Sequence, residues 1–515
     1  MEGRSVGPLA TAPVVAFGGD VILGERQNAL TTWSGPASAL GGVPELAEAD
    51  LAIVNLESVV ASTGAPVEKE TSFPFYFRGR PELIAVLAAA GIDVVCTANN
   101  HSGDFGAEAL LEQLRLLDGM NFGHAGSGLN REAACAPVLR RAGDLVVAVF
   151  SIDSTMPSFA ATAERPGTCY LSPDDAAAWR QFFTPKIASV RQAAHIVLVA
   201  VHCGPDFEIR PREQDVALCH AVIDAGADAV LGSSTHVLHG VEIYEGRPIL
   251  YDAGNLLWQN PRRVAEAAIF SLVLEPGGVR QIQITPVVAG NGESRSARGE
   301  RGHVILRTLR NRSAEFGTIL EIEGDRGFIE LPSLPPRRSA SQVTLFDSPL
   351  GPSPEPQTTA PAECVVPRVP EGACIEPLSI GQLTLVGVSV EPTMLVERSL
   401  LWLNTYWMTE VTITDDLWIA ARVEPIQPNG LVWQDEHEPC NWVWPTSRWT
   451  PGMIYRDLCC LRPPGRPRQR SQASVGPLVD SELAVWIGLR LGGELLEIDR
   501  VVAQLPCKTL QVRVI

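Results

Sequence analysis

The chain has 515 residues, 45% of them hydrophobic and 19% charged, with a formal net charge of −18. That length suggests two or three domains, and the acidic balance argues against a general binder of nucleic acid or of anionic membranes. The opening residues lack the long apolar segment of a signal peptide, and no later run approaches the roughly 18 apolar residues of a membrane-spanning helix. Eleven cysteines without a CxxC pair fit reduced thiols better than a disulfide framework. A cytoplasmic protein with no membrane span and no nucleic-acid partner is the expectation.

In chain order, residues 13–17 form a short apolar strand running into Gly18-Gly19-Asp20, where the glycines let the backbone turn tightly and leave a carboxylate at the strand's end. Residues 50–57 read as a second buried strand, finishing in Glu57. A Phe-, Pro- and Tyr-rich loop follows, then a helix over 81–90 and a strand over 92–96. That strand enters the turn Asn99-Asn100-His101-Ser102-Gly103-Asp104, and an amphipathic helix leaves it. Residues 124–128 read as a glycine-loosened loop and 145–152 as a strand. Helical spacing over 173–194 carries a break or kink at Pro185, with Ser172-Pro173-Asp174-Asp175 as its cap.

A strand over 196–201 ends at His202-Cys203-Gly204, a helix spans 212–225, and a strand over 229–231 runs into Ser233-Ser234-Thr235-His236. A hairpin through Glu245-Gly246 and two longer strands complete the unit. Strands alternating with helices, with polar residues collecting at strand ends, signify a layered α/β enzyme. The expected division is an α/β domain over 12–330, a Pro- and Ser-rich linker over 331–372, and an all-β sandwich or jelly-roll over 373–515.

Asp20, Glu57, Asn100, His202 and His236 each follow an expected strand. Carboxylate, amide oxygen and imidazole are ligands suited to Mn²⁺, Fe²⁺ or Zn²⁺, and a carboxylate shared by two ions makes a site that lowers the pKa of a bridging water. The Asn100-His101 pair can offer an amide oxygen to a metal and an imidazole to a substrate. Asp104 can hold that imidazole in one orientation. Taken singly, each of these residues reads more readily as a turn or core residue.

Together, Gly18-Gly19-Asp20, Asn55-Leu56-Glu57, Asn99-Asn100-His101 with Asp104, His202 with Gly204, and His236-Val237-Leu238 resemble the poly-γ-glutamate capsule synthesis (CapA) family of the calcineurin-like metallophosphoesterase superfamily. The stretch from Gly240 through Gly254-Asn255 resembles that family's closing segment. The resemblance implies a four-layer αββα sandwich holding one or two divalent ions. Asp20 and His236 would serve one ion, Asn100 and His202 the other, and Glu57 would bridge them. His101, oriented by Asp104, would protonate the leaving group.

The chain departs from the family where His-Pro-His becomes Ser234-Thr235-His236, so a hydroxyl replaces an imidazole ligand; either His239 turns inward or that position is vacant. Cys203, Asp206 and Asp252 also replace the family's usual residues. The region from about residue 380 resembles β-sandwich accessory domains of glycan-related enzymes, through Trp433-Gln434-Asp435 and Pro445-Thr446-Ser447-Arg448-Trp449; exposed tryptophans there could stack on sugars, but tryptophan in a sandwich more often fills the core.

The function so implied is a metal-dependent hydrolase or group-transfer enzyme acting on a small phosphoester or a γ-glutamyl-type, peptide-like amide. Alternatives are a one-metal enzyme of specialised metabolism and a non-catalytic scaffold of polymer synthesis. Neither the substrate nor the oligomeric state is legible.

Overall fold

The structure, a computed structural model, describes residues 12–24, 27, 30–31, 34–69, 75–258, 265–337, 359–362, 364–391, 401–425, 433–437, 439–440, 444–461, 483–491, 494–495 and 501–505. The chain divides into two compact units, one of residues 1–61 with 81–356, the other of residues 62–80 with 357–515. Much of the expected linker, 338–358, lies outside the described residues.

The first unit is mixed α/β. Its first sheet is built around β1 (Val14–Val21), β2 (Leu51–Leu56), β3 (Val94–Cys96) and β4 (Gly123–Ala125), all parallel neighbours. Helices α1 (Ile84–Ala89) and α2 (Gly106–Gly119) connect them. The second sheet holds β5 (Val138–Ala142), β6 (Leu145–Asp153), β7 (Ile196–His202), β8 (Ala229–Ser233) and the hairpin β9 (Val241–Tyr244) and β10 (Arg247–Leu250), in the order β9-β10-β8-β7-β6-β5. Helices α3 (Ala176–Val190) and α4 (Glu213–Asp224) belong to its crossovers. The chain then returns to the first sheet through β11 (Asn255–Leu257), β12 (Ala265–Glu275) and β13 (Gly278–Gly290).

The alternation of side chains along a strand explains why both sheets are apolar on both faces. Val15 and Phe17 of β1 share one cluster with Val147, Val149, Leu198 and Leu231 of the second sheet. Ala16, Val54 and Val95 turn the opposite way, onto Ile84, Leu87 and Leu117. In the second sheet Val146, Ala148, Phe150 and Val197 turn outward onto Trp179, Phe183 and Val222 of its helices. Full burial of a Val, Leu or Phe contributes roughly 1.5–3 kcal/mol. These continuous apolar runs therefore fix the strands more firmly than any local propensity.

Several elements differ from the sequence reading. Residues 123–125, read as loop, form the edge strand β4 paired to β3. The helix expected from Pro173 begins at Ala176, because Asp175 is its cap, accepting from the Ala178 amide at 2.9 Å. Pro185 sits within that helix without ending it. A 16-residue helix, α5 (Gly299–Ala314), follows β13 and lacks a strong apolar signal in sequence because Arg301, Arg307 and Arg310 interrupt it. It buries Ile305, Leu306 and Leu309 in the cluster between the sheets. The expectation of reduced thiols fails at one place, for Cys135 and Cys169 form a disulfide with Cα atoms 4.9 Å apart. Thirty-four residues separate them, so spacing gave no signal of the pairing.

Among the described residues the second unit is built of strands. One sheet contains β14 (Cys374–Ile380), β15 (Leu383–Glu391), β16 (Leu401–Met408) and, beyond β16, the strand Ile454–Leu461. The other contains Trp418–Pro425, Trp433–His437 and Leu483–Leu491. Trp407, Trp444, Trp449, Leu403 and Ile487 form its core. Trp449, read from the sequence as a core residue more readily than a sugar-stacking one, is an interior residue. It lies stacked on Tyr455 at 4.3 Å, and its indole N–H donates to the Trp444 carbonyl at 3.1 Å. The Trp433 side chain lies outside the described residues. Residues 62–80, read as a loop of the first domain, group with this unit instead.

Candidate functional site

The site is assembled at the carboxyl ends of parallel strands from both sheets. Asp20 lies in register with Asn55 on β2 and Asn255 on β11, so one row of the first sheet carries an aspartate between two asparagines. The register shifts between Phe17 and Asp20 because the backbone bends through Gly19. Gly19 has φ +74°, and a Cβ there would meet the Gly254 carbonyl at 2.4 Å. Only glycine serves both demands, and the bend directs Asp20 toward its partners.

Asn55 Nδ2 donates to Asp20 Oδ1 at 2.7 Å and lies 3.3 Å from His202 Nδ1. The second ring atom of His202, Nε2, donates to Asn100 Oδ1 at 2.9 Å and lies 3.6 Å from Glu57 Oε1. His236 Nδ1 lies 3.6 Å from Asp20 Oδ2 and 3.6 Å from Glu57 Oε2, and it donates to Asn255 Oδ1 at 3.0 Å. Glu57 therefore extends one oxygen toward each histidine. It is fully buried, and neither of its carboxylate oxygens has a hydrogen-bond partner. All five residues expected at the metal come together, as do His101 and Asp104. His101 Nδ1 donates to Asp104 Oδ2 at 2.8 Å in a nearly dry environment.

The electrostatics follow from burial. Desolvation, reinforced by the nearby Asp20, holds the Glu57 carboxyl well above the usual range. Desolvation also opposes ionisation of Asp20, but hydrogen bonding to His236 and the charges of His202 and His236 outweigh it and keep Asp20 below its ordinary value. His202 is pushed down to about 3 by burial, whereas at His236 the Glu57 and Asp20 carboxylates overcome burial and raise the ring to about 10. A buried, unpartnered carboxylate between two imidazoles is a costly arrangement without a cation. Donor atoms of Asp20, Glu57 and His236 lie within 4.8 Å of one another. The donor set of carboxylate, imidazole and amide oxygen fits a divalent metal.

Ser234 and His239 do not complete a second histidine set. Ser234 Oγ donates to the Gly204 carbonyl at 2.9 Å, with the backbone at φ +121° and its amide 3.3 Å from Asp20 Oδ2. The His239 ring turns instead to the Glu208 carbonyl at 2.9 Å and the Thr235 hydroxyl at 3.2 Å. Asp252 holds this turn: one oxygen accepts from the Thr235 amide and hydroxyl at 2.7 and 2.9 Å, the other from the Gly254 amide at 2.7 Å. Burial, then the charge of Asp20, raises its pKa to about 7. Cys203 and Cys219 are free and buried, and hydrogen bonding to Cys219 together with burial pushes the Cys203 thiol well up.

Sequence reasoning gave no role to Asn55, Asn99, Ser233, Asp252 or Asn255. Each is a polar residue inside or beside an apolar strand, which was the available signal. Asn99 links Asn55 Oδ1 (3.0 Å) and the Leu56 carbonyl (2.8 Å) to the His101 amide (3.1 Å) and the Ser102 hydroxyl (3.0 Å). Ser233 Oγ lies 3.0 Å from His202 Nδ1 and fixes that ring's orientation.

Comparison with known proteins finds similarity over the residues that carry this site. Residues 14–260 match the family described as bacterial capsule synthesis protein PGA_cap. The PGA biosynthesis protein CapA of Bacillus subtilis is 26% identical over 276 residues, covering 53% of this chain and 70% of that protein. A probable polyglutamine synthesis accessory protein of Mycobacterium tuberculosis is 30% identical over 255 residues, covering 46% of this chain and 64% of its own. The capsule biosynthesis protein CapA of Bacillus anthracis is 25% identical over 272 residues, covering 52% and 66% respectively. The alignments thus span about two thirds of each relative's length, and the family match ends at residue 260. Over residues 14–260, this chain is similar to the CapA-type proteins of the PGA_cap family.

Proposed function

We propose that the first unit is a divalent-metal-dependent hydrolase or group-transfer enzyme acting on a γ-glutamyl-type amide or a small phosphoester. The observation that carries this reading is Glu57, whose two buried and unpartnered oxygens each lie 3.6 Å from a different imidazole nitrogen. Asp20 and His236 would hold one ion, Asn100 and His202 a second, with Glu57 between them. The four-layer αββα arrangement of metallophosphoesterases belongs to the same proposal. It is supported by two sheets that share one apolar interior while helices cover their other faces. Apart from residues 62–80, which group with the second unit, we keep the expected domain division, with a β-sandwich accessory domain after residue 372. No helix among the described residues is long and apolar enough to cross a membrane.

A bound divalent ion would polarise the scissile group and supply a water of lowered pKa. The chain's own residues do the rest. His101 delivers a proton to the leaving group, and because Asp104 occupies Nδ1 the transferable proton resides on Nε2. The Asp104 carboxylate favours the imidazolium before transfer and holds the ring in place afterwards. Asn55 and Asn99 tie the Asp20 strand end to the His101 turn, so ligands and acid keep fixed spacing. The names of the relatives favour the γ-glutamyl class. The word accessory in the mycobacterial name supports a second reading, a non-catalytic role in polymer assembly.

The test is turnover of γ-glutamyl amides and of phosphomonoesters and diesters by the manganese-loaded full chain and by Asp20→Ala. Hydrolysis by the wild type that falls at least 100-fold in a folded Asp20→Ala protein supports the enzyme. Equal rates in the two proteins, or metal-independent turnover, would contradict it.

A further inference from the structure

A second group of metal-compatible residues lies in the other unit, remote in sequence from every residue of the first site. His437 is the last residue of the strand Trp433–His437 in one sheet; Asp457 and Cys459 lie on Ile454–Leu461 in the other. Two residues apart on one strand, Asp457 and Cys459 share a face. The ligand atoms of all three residues lie within 4.8 Å of one another. His437 and Asp457 are fully buried and Cys459 is 2% exposed.

The hydrogen bonding covers only part of this group. His437 Nε2 donates to Asp457 Oδ2 at 2.9 Å, and the Thr405 hydroxyl donates to the same oxygen at 3.2 Å. Thr405 is itself held by the indole N–H of Trp407 at 2.7 Å. Asp457 Oδ1 is buried with no hydrogen-bond partner. A carboxylate with one oxygen doubly satisfied and the other bare is expensive in an apolar core, and the surrounding cluster is apolar, including Leu403, Tyr455 and Leu461.

We propose that His437, Asp457 and Cys459 form a zinc site that pins the two sheets of the second unit together. Thiolate, imidazole and carboxylate are the ligand types zinc takes, and three protein ligands leave one tetrahedral position. Thiolate ligation separates this site from the Asp20–Glu57 group, whose hard oxygen donors suit Mn²⁺. On binding, the Cys459 thiol releases its proton to solvent, and the bare Asp457 oxygen gains the cation it faces. The role is structural, since the ligands come from opposite sheets and are closed off from solvent.

The test uses the full-length Asp20→Ala protein, which lacks a ligand of the first site, stripped with chelator and reloaded with zinc or cobalt. Expected are one tightly held zinc per chain and a sulfur scatterer at about 2.3 Å in zinc X-ray absorption. The cobalt form should show a thiolate-to-metal absorption band in the near ultraviolet. Cys459→Ser in that background should abolish the band and lose the equivalent of metal. The X-ray absorption measurement needs no ligand replacement in the second unit, so a Cys459 variant that fails to fold leaves the proposal testable. Zinc bound with only nitrogen and oxygen neighbours, or none bound, would overturn it and leave His437–Asp457 as a buried hydrogen bond.

Discussion

Asn99→Ala probes the link between the two halves of the site without touching a metal-facing atom. The Asn99 side chain is fully buried; Nδ2 donates two hydrogen bonds and Oδ1 accepts one from the His101 amide. The single Ser102 hydroxyl proton goes to the Thr97 carbonyl. At a net ~1 kcal/mol each the three Asn99 bonds total ~3 kcal/mol. The Leu56 carbonyl, Asn55 Oδ1 and the His101 amide lose the partner that Asn99 gives them. A loss of about 3 kcal/mol is the expected result, close to a 100-fold change in a local opening equilibrium. Hydrogen exchange of peptides spanning residues 97–105, on chelated full-length protein, should therefore accelerate about 100-fold. Asn99→Asp, which keeps Oδ1 but turns a carboxylate toward two carbonyl oxygens, should not rescue it. Exchange within a factor of about 5 of wild type would refute the claim that Asn99 holds the turn.

Replacing His101 by Ala should leave metal content unchanged while the rate falls by roughly 10²–10⁴, the span of a general acid; loss of metal instead would make it a ligand. His239→Ala should bind as much metal as wild type by mass spectrometry, because its ring is engaged by Glu208 and Thr235. Ser234→His should bind a second ion more tightly, since an imidazole there replaces a poor neutral donor. Reducing the Cys135–Cys169 bond, which closes a loop with a sequence separation of 34, should cost about 3–4 kcal/mol by the loop-entropy relation. Its readout is the shift of the first unit's urea midpoint, and an unchanged midpoint would count against it.

The strands and the turns that follow them were legible because the site sits where apolar runs stop. Asp20, Glu57, Asn100, His202 and His236 each interrupt or end such a run, and the structure brings all five together. The supporting asparagines were visible as letters but not as roles, because Asn55, bonded to Asp20, reaches His202 across 147 positions of sequence. Helix α5 escaped because its charged face dilutes the apolar stripe. The Cys135–Cys169 bond escaped because two distant cysteines carry no local pattern. In the second unit, Trp449 read more readily as core than as a ligand platform, and its partners Trp444 and Tyr455 hold it in the interior.

The most direct test of the central claim is a calorimetric titration of chelated full-length protein with Mn²⁺, repeated on Glu57→Gln. A glutamine fills the same space but carries no charge and only one oxygen acceptor, so it separates the demand for an anion from the demand for volume. At least one tight Mn²⁺ per wild-type chain, weakened 100-fold or more in a folded Glu57→Gln protein, is the predicted result. Equal Mn²⁺ binding by the two proteins, or none by the wild type, would contradict the account.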